Sequence, residues 1–201
     1  MLNRRNYIRT LGGLAVAGFV APVSNAALQC GQPMPPWGIQ PCAAGIPEER
    51  LNMVFAFQQQ SEWCWAACIQ MVFGYWGHPI TQQEIVGQTW GALANMPAQP
   101  DDIVRDLNRD WTDRNGKEFS VMGDVFSATG ASIAQDLARE MPLIIGSMGH
   151  AMVLTAVSYN RDRNSQGQVT GALVRDPLRG KRPLSPPEAA ATMLLARIRV
   201  S

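Results

Sequence analysis

The spacing of apolar residues changes along the chain from a helical period to a strand period. The apolar positions of one helical face are Cys64, Cys68, Met71, Val72 and Tyr75. Their offsets of 0, 4, 7, 8 and 11 predict a helix over residues 64–76, with Ser61 as its N-terminal cap. From residue 143 onwards, short apolar runs rich in β-branched side chains instead predict strands.

The same patterns place further elements on both sides of this change. Three more helices are predicted, at residues 81–89, 100–108 and 131–140. Strands are predicted at residues 51–57, 143–147, 150–159 and 169–175, the last two being joined by the polar turn 160–168. Helices thus come first and antiparallel strands follow, which is an α+β order.

The first 26 residues have the composition of an export signal. Arg4, Arg5 and Arg9 form a basic stretch, and residues 11–20 are apolar but too short to cross a bilayer. Small residues before and at Ala26 predict cleavage there. The arginine pair resembles a twin-arginine signal, so we expect an exported protein, periplasmic or secreted, with the twin-arginine machinery as a partner. The alternative is an uncleaved membrane anchor.

Composition and charge narrow the function of the remaining chain. The 46% hydrophobic and 16% charged residues are typical of a folded protein. The 17 basic residues include three in the signal, so 14 basic and 16 acidic residues remain. No basic stripe is present, which argues against a nucleic-acid partner. Beyond the signal, no stretch is long and apolar enough to predict a membrane span.

All four cysteines follow the predicted signal. In an exported protein, an even number suggests disulfides, here with three possible pairings. Cys30 and Cys42 flank a Pro- and Gly-rich stretch within residues 27–50, which we expect to be an irregular extension. A bridge between them would stabilise this segment by roughly 2–3 kcal/mol. The segment is interpreted as a stapled flap or a pro-segment, and pairing of Cys68 with Cys30 or Cys42 stays open.

Cys64 itself has several interpretations. It could be a buried structural cysteine, since cysteine is often buried. A metal pair with Cys68 lacks further ligands at a suitable spacing, so neither a metal nor another cofactor is predicted. As a nucleophile, Cys64 would profit from a helix N-terminus, whose dipole favours a thiolate. Cys68, one turn further, is expected to lie in the core.

The two histidines differ in their distance from Cys64. His78 lies in a turn at the far end of the helix, about 18 Å from its start, and is expected to be exposed. His150 opens one strand of the predicted hairpin, and a hairpin centred on residue 163 brings Asp176 beside it. Asn160 would lie roughly 30 Å away. Asp176 can therefore orient His150 and stabilise its charged form.

Three stretches of the sequence together resemble the papain-like cysteine peptidases. They are QQQSEWCWAAC at 58–68, GHAMVLTAVSY at 149–159 and LVRDP at 173–177. The sequence is most similar to a short bacterial branch, which includes secreted effector proteases of plant pathogens and staphopain-like enzymes. The resemblance covers about residues 51 to 180. It implies a catalytic domain over residues 51–201, with a helical N-terminal half packed on a C-terminal antiparallel sheet.

The resemblance also implies roles for individual residues. Cys64 would be the nucleophile, His150 the general base and acid, and Asp176 the orienting residue, where papain has asparagine. A glutamine upstream of the nucleophile would help to bind the oxyanion. This residue is Gln58, or Gln59 or Gln60 if the alignment slips.

The predicted function is that of an exported cysteine peptidase. It would hydrolyse peptide bonds of a protein or peptide through an acyl-enzyme, without a cofactor. A related thiol acyltransferase, transpeptidase or deamidase would use the same intermediate. A non-catalytic binding module on the same fold is the remaining alternative, although such a module would usually have lost one member of the triad.

Overall fold

The computed structural model describes residues 27–36, 38–161 and 167–201. The predicted export signal, residues 1–26, lies outside the described residues. The helices are α1 Glu48–Val54, α2 Cys64–Tyr75, α3 Gln82–Trp90, α4 Pro100–Asp106, α5 Gly130–Ala138 and α6 Pro186–Ala190. The strands are β1 Gln29–Cys30, β2 Gln40–Gly45, β3 Asp110–Thr112, β4 Glu118–Val125, β5 Leu143–Ser147, β6 His150–Arg161, β7 Gln168–Asp176, β8 Gly180–Pro183 and β9 Thr192–Val200.

The long strand β6 organises the antiparallel sheet. Its first half pairs with β5 and its second half with β2 along the same edge, while β7 pairs along the other edge. Beyond β5, the sheet continues through β9 and β4 to β3, and β8 adds to β7. The α+β class predicted from the sequence is confirmed.

Both faces of β6 are buried, because helices cover the sheet on both sides. Ala151 and Val153 belong to the core that α2 helps to form. Met152 and Leu154 point to the other face and belong to a second core, which includes residues of α5. A strand covered on both faces has a continuous apolar sequence, which is why this segment has no polar alternation.

Several predicted elements are confirmed and two local predictions are wrong. The helices at α2, α3, α4 and α5 and the strands β5, β6 and β7 lie where the patterns placed them. The strand predicted at residues 51–57 is wrong, since α1 covers most of it. Leu51 is buried and Val54 packs on the same core, a three-residue spacing that suits a helix. Ser61 does not cap α2, whose N-cap is Trp63.

The sheet also contains strands that the sequence patterns did not predict. β3 and β4 lie between α4 and α5, so strands are interleaved with the helices. The alternation of exposed Glu118 and Ser120 with buried Phe119 and Val121 was the missed signal. β9 connects β5 to β4 and thereby joins these strands to the main sheet.

Residues 27–50 are not wholly irregular, because β2 extends the sheet. Cys42 is buried and pairs in register with both Tyr159 of β6 and Cys30 of β1. A disulfide joins Cys30 to Cys42. β2 pairs with residues 156–161, so it lies at the opposite end of β6 from His150. No helix in the described residues has the length and apolar character needed to cross a membrane.

We expect Gly130→Ala to destabilise the protein, because α5 begins in direct contact with β6. A Cβ atom at residue 130 would lie 2.6 Å from the Cβ of Tyr159, which is buried. Overpacking of this kind costs about 1–3 kcal/mol. Chemical denaturation of the purified protein measures the loss of unfolding free energy.

Gly87→Ala is the matched control within a helix. A Cβ atom at residue 87 would meet its nearest neighbour, Leu93, at 3.9 Å. Alanine favours a helix over glycine by about 0.5–1 kcal/mol, so this variant should be neutral or more stable. Equal stability changes in the two variants would contradict the close contact between α5 and β6.

Candidate active site

Cys64 is the first residue of α2, at the helix end that attracts negative charge. The first turn contains no acidic residue, and no described side chain caps it. The N–H groups of this turn therefore lack intrahelical partners and add to the dipole at the sulfur atom. The Cys64 sulfur also accepts a hydrogen bond from the Ala151 N–H at 3.5 Å, which places it beside the start of β6.

His150 and Asp176 meet at one end of the β6–β7 hairpin. His150 Nε2 lies 2.7 Å from Asp176 Oδ1. Val153 pairs with Arg175, which is two residues beyond the partner that a hairpin centred on residue 163 would give it. Continued by one residue, this register sets Asp176 opposite residue 152, diagonal to His150. Diagonal neighbours share a sheet face, so the two side chains still meet.

The local environment favours the charged forms of both His150 and Asp176. Burial alone would raise the pKa of Asp176, but hydrogen bonds from His150, the Leu178 N–H and Arg182 outweigh it and lower the pKa. The hydrogen bond with Cys64 raises the pKa of His150, burial opposes this, and Asp176 adds to the rise. The arrangement therefore stabilises an imidazolium ion between an acidic side chain and the thiol.

The three glutamines before Cys64 have different surroundings. Gln58 donates its two side-chain N–H groups to the carbonyl oxygens of Gln60 and Ser61, at 3.0 and 2.8 Å. Its backbone N–H donates to the Pro177 carbonyl at 2.9 Å, next to Asp176. Gln59 and Gln60 are exposed. Of the three glutamines, Gln58 is thus held beside Asp176, and its amide must release a carbonyl before it can donate to an oxyanion.

Cys68 lies one turn inside α2 and is fully buried, as expected. Burial raises the pKa of its thiol, and the nearby Cys64 and Asp176 raise it further. This thiol therefore stays neutral and packs in the core. Among the described residues, no three His, Cys, Asp or Glu side chains converge as ligands of a metal ion would.

The prediction that His78 is exposed is wrong. Only 6% of its surface is accessible, because the β3–β4 hairpin covers the end of α2. His78 stacks on Phe119 with ring centroids 4.0 Å apart, and its Nδ1 lies 3.2 Å from Asp113 Oδ2. It belongs to the opposite end of α2 from Cys64 and contributes to packing there.

The two tryptophans that flank Cys64 hold a neighbouring segment, residues 91–99. The Trp63 indole N–H donates to the Ala94 carbonyl at 2.9 Å, and that of Trp65 to the Met96 carbonyl at 3.2 Å. The Asn95 side chain also binds Ser61 Oγ and the backbone N–H of residue 62. These contacts fix residues 91–99 next to the start of α2.

Sequence patterns missed two charged residues beside Asp176. Arg182, on β8, donates from Nε to Asp176 Oδ2 at 2.8 Å. Glu188, on α6, accepts hydrogen bonds from the two remaining guanidinium nitrogens of Arg182. The Ser185-x-x-Glu188 spacing is a capping-box signal that could have located α6. Arg182 has no comparable signal, since nothing local distinguishes it from the other arginines.

Comparisons with known proteins were made by sequence and by structure. A sequence model described as the Peptidase_C39 like family matches residues 50–187. A double glycine motif protease from an AMS/PCAT transporter, solved in complex with the leader peptide, shares 14% identity over 72% of this chain and 87% of that chain, with a TM-score of 0.44. UfSP from C. elegans shares 16% identity over 72% of this chain and 31% of that chain, with a TM-score of 0.40. No curated protein matches.

We expect Trp63→Phe to loosen residues 91–99. The substitution removes the indole N–H and leaves the Ala94 carbonyl without this donor, at a cost of about 1–3 kcal/mol. Hydrogen exchange should become faster in residues 91–99, as measured by mass spectrometry of peptic fragments.

Trp76→Phe provides the comparison, because the buried Trp76 Nε1 has no hydrogen-bond partner among the described residues. This variant also loses ring volume but should leave exchange in residues 91–99 unchanged. Equal exchange in both variants would show that the indole hydrogen bond does not hold the segment.

Proposed function

The chain belongs to the Peptidase_C39-like family of cysteine peptidases, and from this premise we propose that it cleaves peptide bonds with a Cys64–His150–Asp176 triad. The proposal rests chiefly on one observation: the Cys64 sulfur accepts a hydrogen bond from the Ala151 N–H, next to His150, and His150 Nε2 lies 2.7 Å from Asp176 Oδ1. Acyl transfer through a thiol requires a nucleophile, a base and an orienting group close to one another. The family also agrees with the resemblance to papain-like peptidases, whereas the short bacterial branch stays a prediction.

The reaction would begin with proton transfer from Cys64 to His150. The resulting thiolate attacks the substrate carbonyl carbon, and the electron pair of the C=O bond moves to oxygen. The backbone N–H of Cys64, at the uncapped helix start, would donate to that oxyanion. Gln58 would supply a second donor once its amide releases one of the two carbonyls it now binds.

Collapse of this intermediate would require an acid. The His150 imidazolium donates its proton to the departing amine, the C–N bond breaks, and a thioester to Cys64 remains. Water then attacks the thioester carbon and loses a proton to His150. The C–S bond breaks, the carboxylic acid product leaves, and the proton finally returns to the Cys64 sulfur. Transfer to an amine acceptor instead of water would make the enzyme an acyltransferase, with the same residues in the same roles.

We also propose that the protein is exported by the twin-arginine route and acts on a protein or peptide outside the cytoplasm. The basic stretch at Arg4, Arg5 and Arg9 supports export. The disulfide between Cys30 and Cys42 agrees with it, because structural disulfides persist in oxidising compartments.

We expect iodoacetamide to alkylate Cys64 rapidly at mildly acidic pH. His150→Ala should slow this reaction on the order of 10- to 100-fold, because the imidazolium no longer favours the thiolate. Peptide mapping by mass spectrometry locates the label and gives the rate. Cys68→Ala is the control and should react like the parent, since the buried Cys68 thiol is inaccessible. Labelling that is indifferent to His150 would exclude this mechanism.

The activity should also depend on pH in a defined direction. The pKa of His150 is raised above its ordinary value of 6.5, so the imidazolium persists below the raised pKa and is lost as pH rises through it. Hydrolysis of a peptide selected from a fluorogenic library should therefore have its alkaline limit above that ordinary value. Asp176→Ala removes one contribution to the rise and should move the alkaline limit of kcat/KM to lower pH. An unmoved limit would contradict the orienting role of Asp176.

A further inference from the structure

The Asp176 carboxylate is held on both of its oxygen atoms. Oδ1 accepts from His150 at 2.7 Å and from the Leu178 N–H at 2.8 Å, and Oδ2 accepts from Arg182 Nε at 2.8 Å. The Asp176 side chain is 1% exposed and that of Arg182 is 17% exposed. A carboxylate with this set of donors has one favourable orientation, and in that orientation Oδ1 faces His150.

Arg182 is itself held in place by Glu188. Its two terminal nitrogens bind the two carboxylate oxygens at 2.9 and 2.6 Å, a bidentate pair. Hydrogen bonding from Arg182, opposed by burial and helped by Ser185, lowers the pKa of Glu188 to about 2. Glu188 also accepts from the Ser185 N–H and Oγ, which anchors it to the start of α6.

Glu188 is also connected to His150 through its backbone carbonyl and the β5–β6 turn. The Ser147 hydroxyl donates to the Glu188 carbonyl oxygen at 2.6 Å. Ser147 pairs with His150 across the β5–β6 turn, in which Met148 and Gly149 both have positive φ. Hydrogen bonds and this strand pair thus form a closed ring through β6, β7, β8, α6 and β5.

We propose that Arg182, clamped by Glu188, is a positioning residue that orients Asp176 toward His150. This inference rests on the proposed function, because it assigns Arg182 a purpose within that triad. Arg182 acts through Asp176 and lies outside the reacting groups. An asparagine at residue 176 would have one acceptor oxygen for three donors, whereas the two oxygens of aspartate serve His150, the Leu178 N–H and Arg182 at once.

Two effects of Arg182 on His150 have opposite signs, so they can be separated. The positive charge of Arg182, taken alone, disfavours a charged His150, so its removal would raise the pKa of His150. Orientation of Asp176 favours the imidazolium, so loss of that orientation would lower the pKa. The titratable groups beside His150 are Cys64 on α2 and Asp176 on β7, while Arg182 and Glu188 lie behind Asp176.

The test is an NMR titration of ¹³C-histidine-labelled protein, which contains only His78 and His150. Arg182→Ala should lower the pKa of His150 and leave the buried His78 signal unaffected. Arg182→Lys keeps the positive charge but loses the planar guanidinium that binds both carboxylates, and it should give His150 an intermediate pKa. Arg179→Ala, which removes an exposed arginine from the turn between β7 and β8, should match the parent. An unchanged or raised pKa in Arg182→Ala would overturn the proposal.

Kinetics supply an independent measurement. Arg182→Ala should lower kcat on the order of 10-fold or more with a smaller change in KM, because misplacement of a catalytic group acts on turnover. In an Asp176→Ala background, the same substitution should have no further effect on kcat. Additive losses in the two backgrounds would show that Arg182 does not act through Asp176.

The remaining outcomes can be told apart. If Arg182→Ala fails to fold, Arg182→Lys serves for the titration, because it keeps the positive charge and should still lower the pKa of His150 when orientation is lost. The titration does not depend on turnover. An inactive parent would therefore refute the proposed peptidase, whereas an active parent with an unmoved His150 pKa in the variants would refute only the role of Arg182.

Discussion

The antiparallel pairing of β6 with β7 is the interaction on which both the core and the site depend. The pairing fixes the position of β6 between the helices that bury its two faces, and it brings His150 and Asp176 to the same end of the hairpin. A slip of one residue would turn one of these side chains to the opposite face. The apolar residues of β6 prevent such a slip, since each must stay in its own core. Packing of the sheet and alignment of the site are therefore one constraint.

The packing of α2 against β6 adds the third member of the site. Most of α2 is buried, whereas its first residue, Cys64, is only half-buried and meets the start of β6 at the Ala151 N–H. Packing therefore fixes the body of α2, while its N-terminus stays accessible. Stability and reactivity are thus divided along one helix, the core beginning at the residue after the thiol.

Asp176 shows how the fold tolerates a charge in a dry environment. Burial of an isolated carboxylate costs several kcal/mol, and here His150, Arg182 and a backbone N–H compensate this cost. The compensating groups come from β6, β8 and the turn after β7. The charge of Asp176 is therefore stabilised by these segments, whereas the nucleophile lies on α2.

Much of the architecture follows from local patterns. Periodicity predicted α2, α3 and the β6–β7 hairpin, and the spacing from His150 to Asp176 predicted their meeting despite a register shift of two residues. β3, β8 and β9 were missed because they are short or carry charges, and their pairing energy comes from neighbours distant in sequence. The burial of His78 was missed for the same reason, since β3 and β4 cover it only in the folded chain.

The sequence by itself thus determined which residue types could do thiol chemistry, because two histidines and one cysteine at a helix start left few combinations. Only the tertiary structure decided how they are held. The clamp of Arg182 by Glu188, the engaged amide of Gln58 and the anchoring of residues 91–99 by two indoles join segments tens of residues apart. Such contacts depend on side-chain direction in three dimensions, and no local period along a chain encodes it.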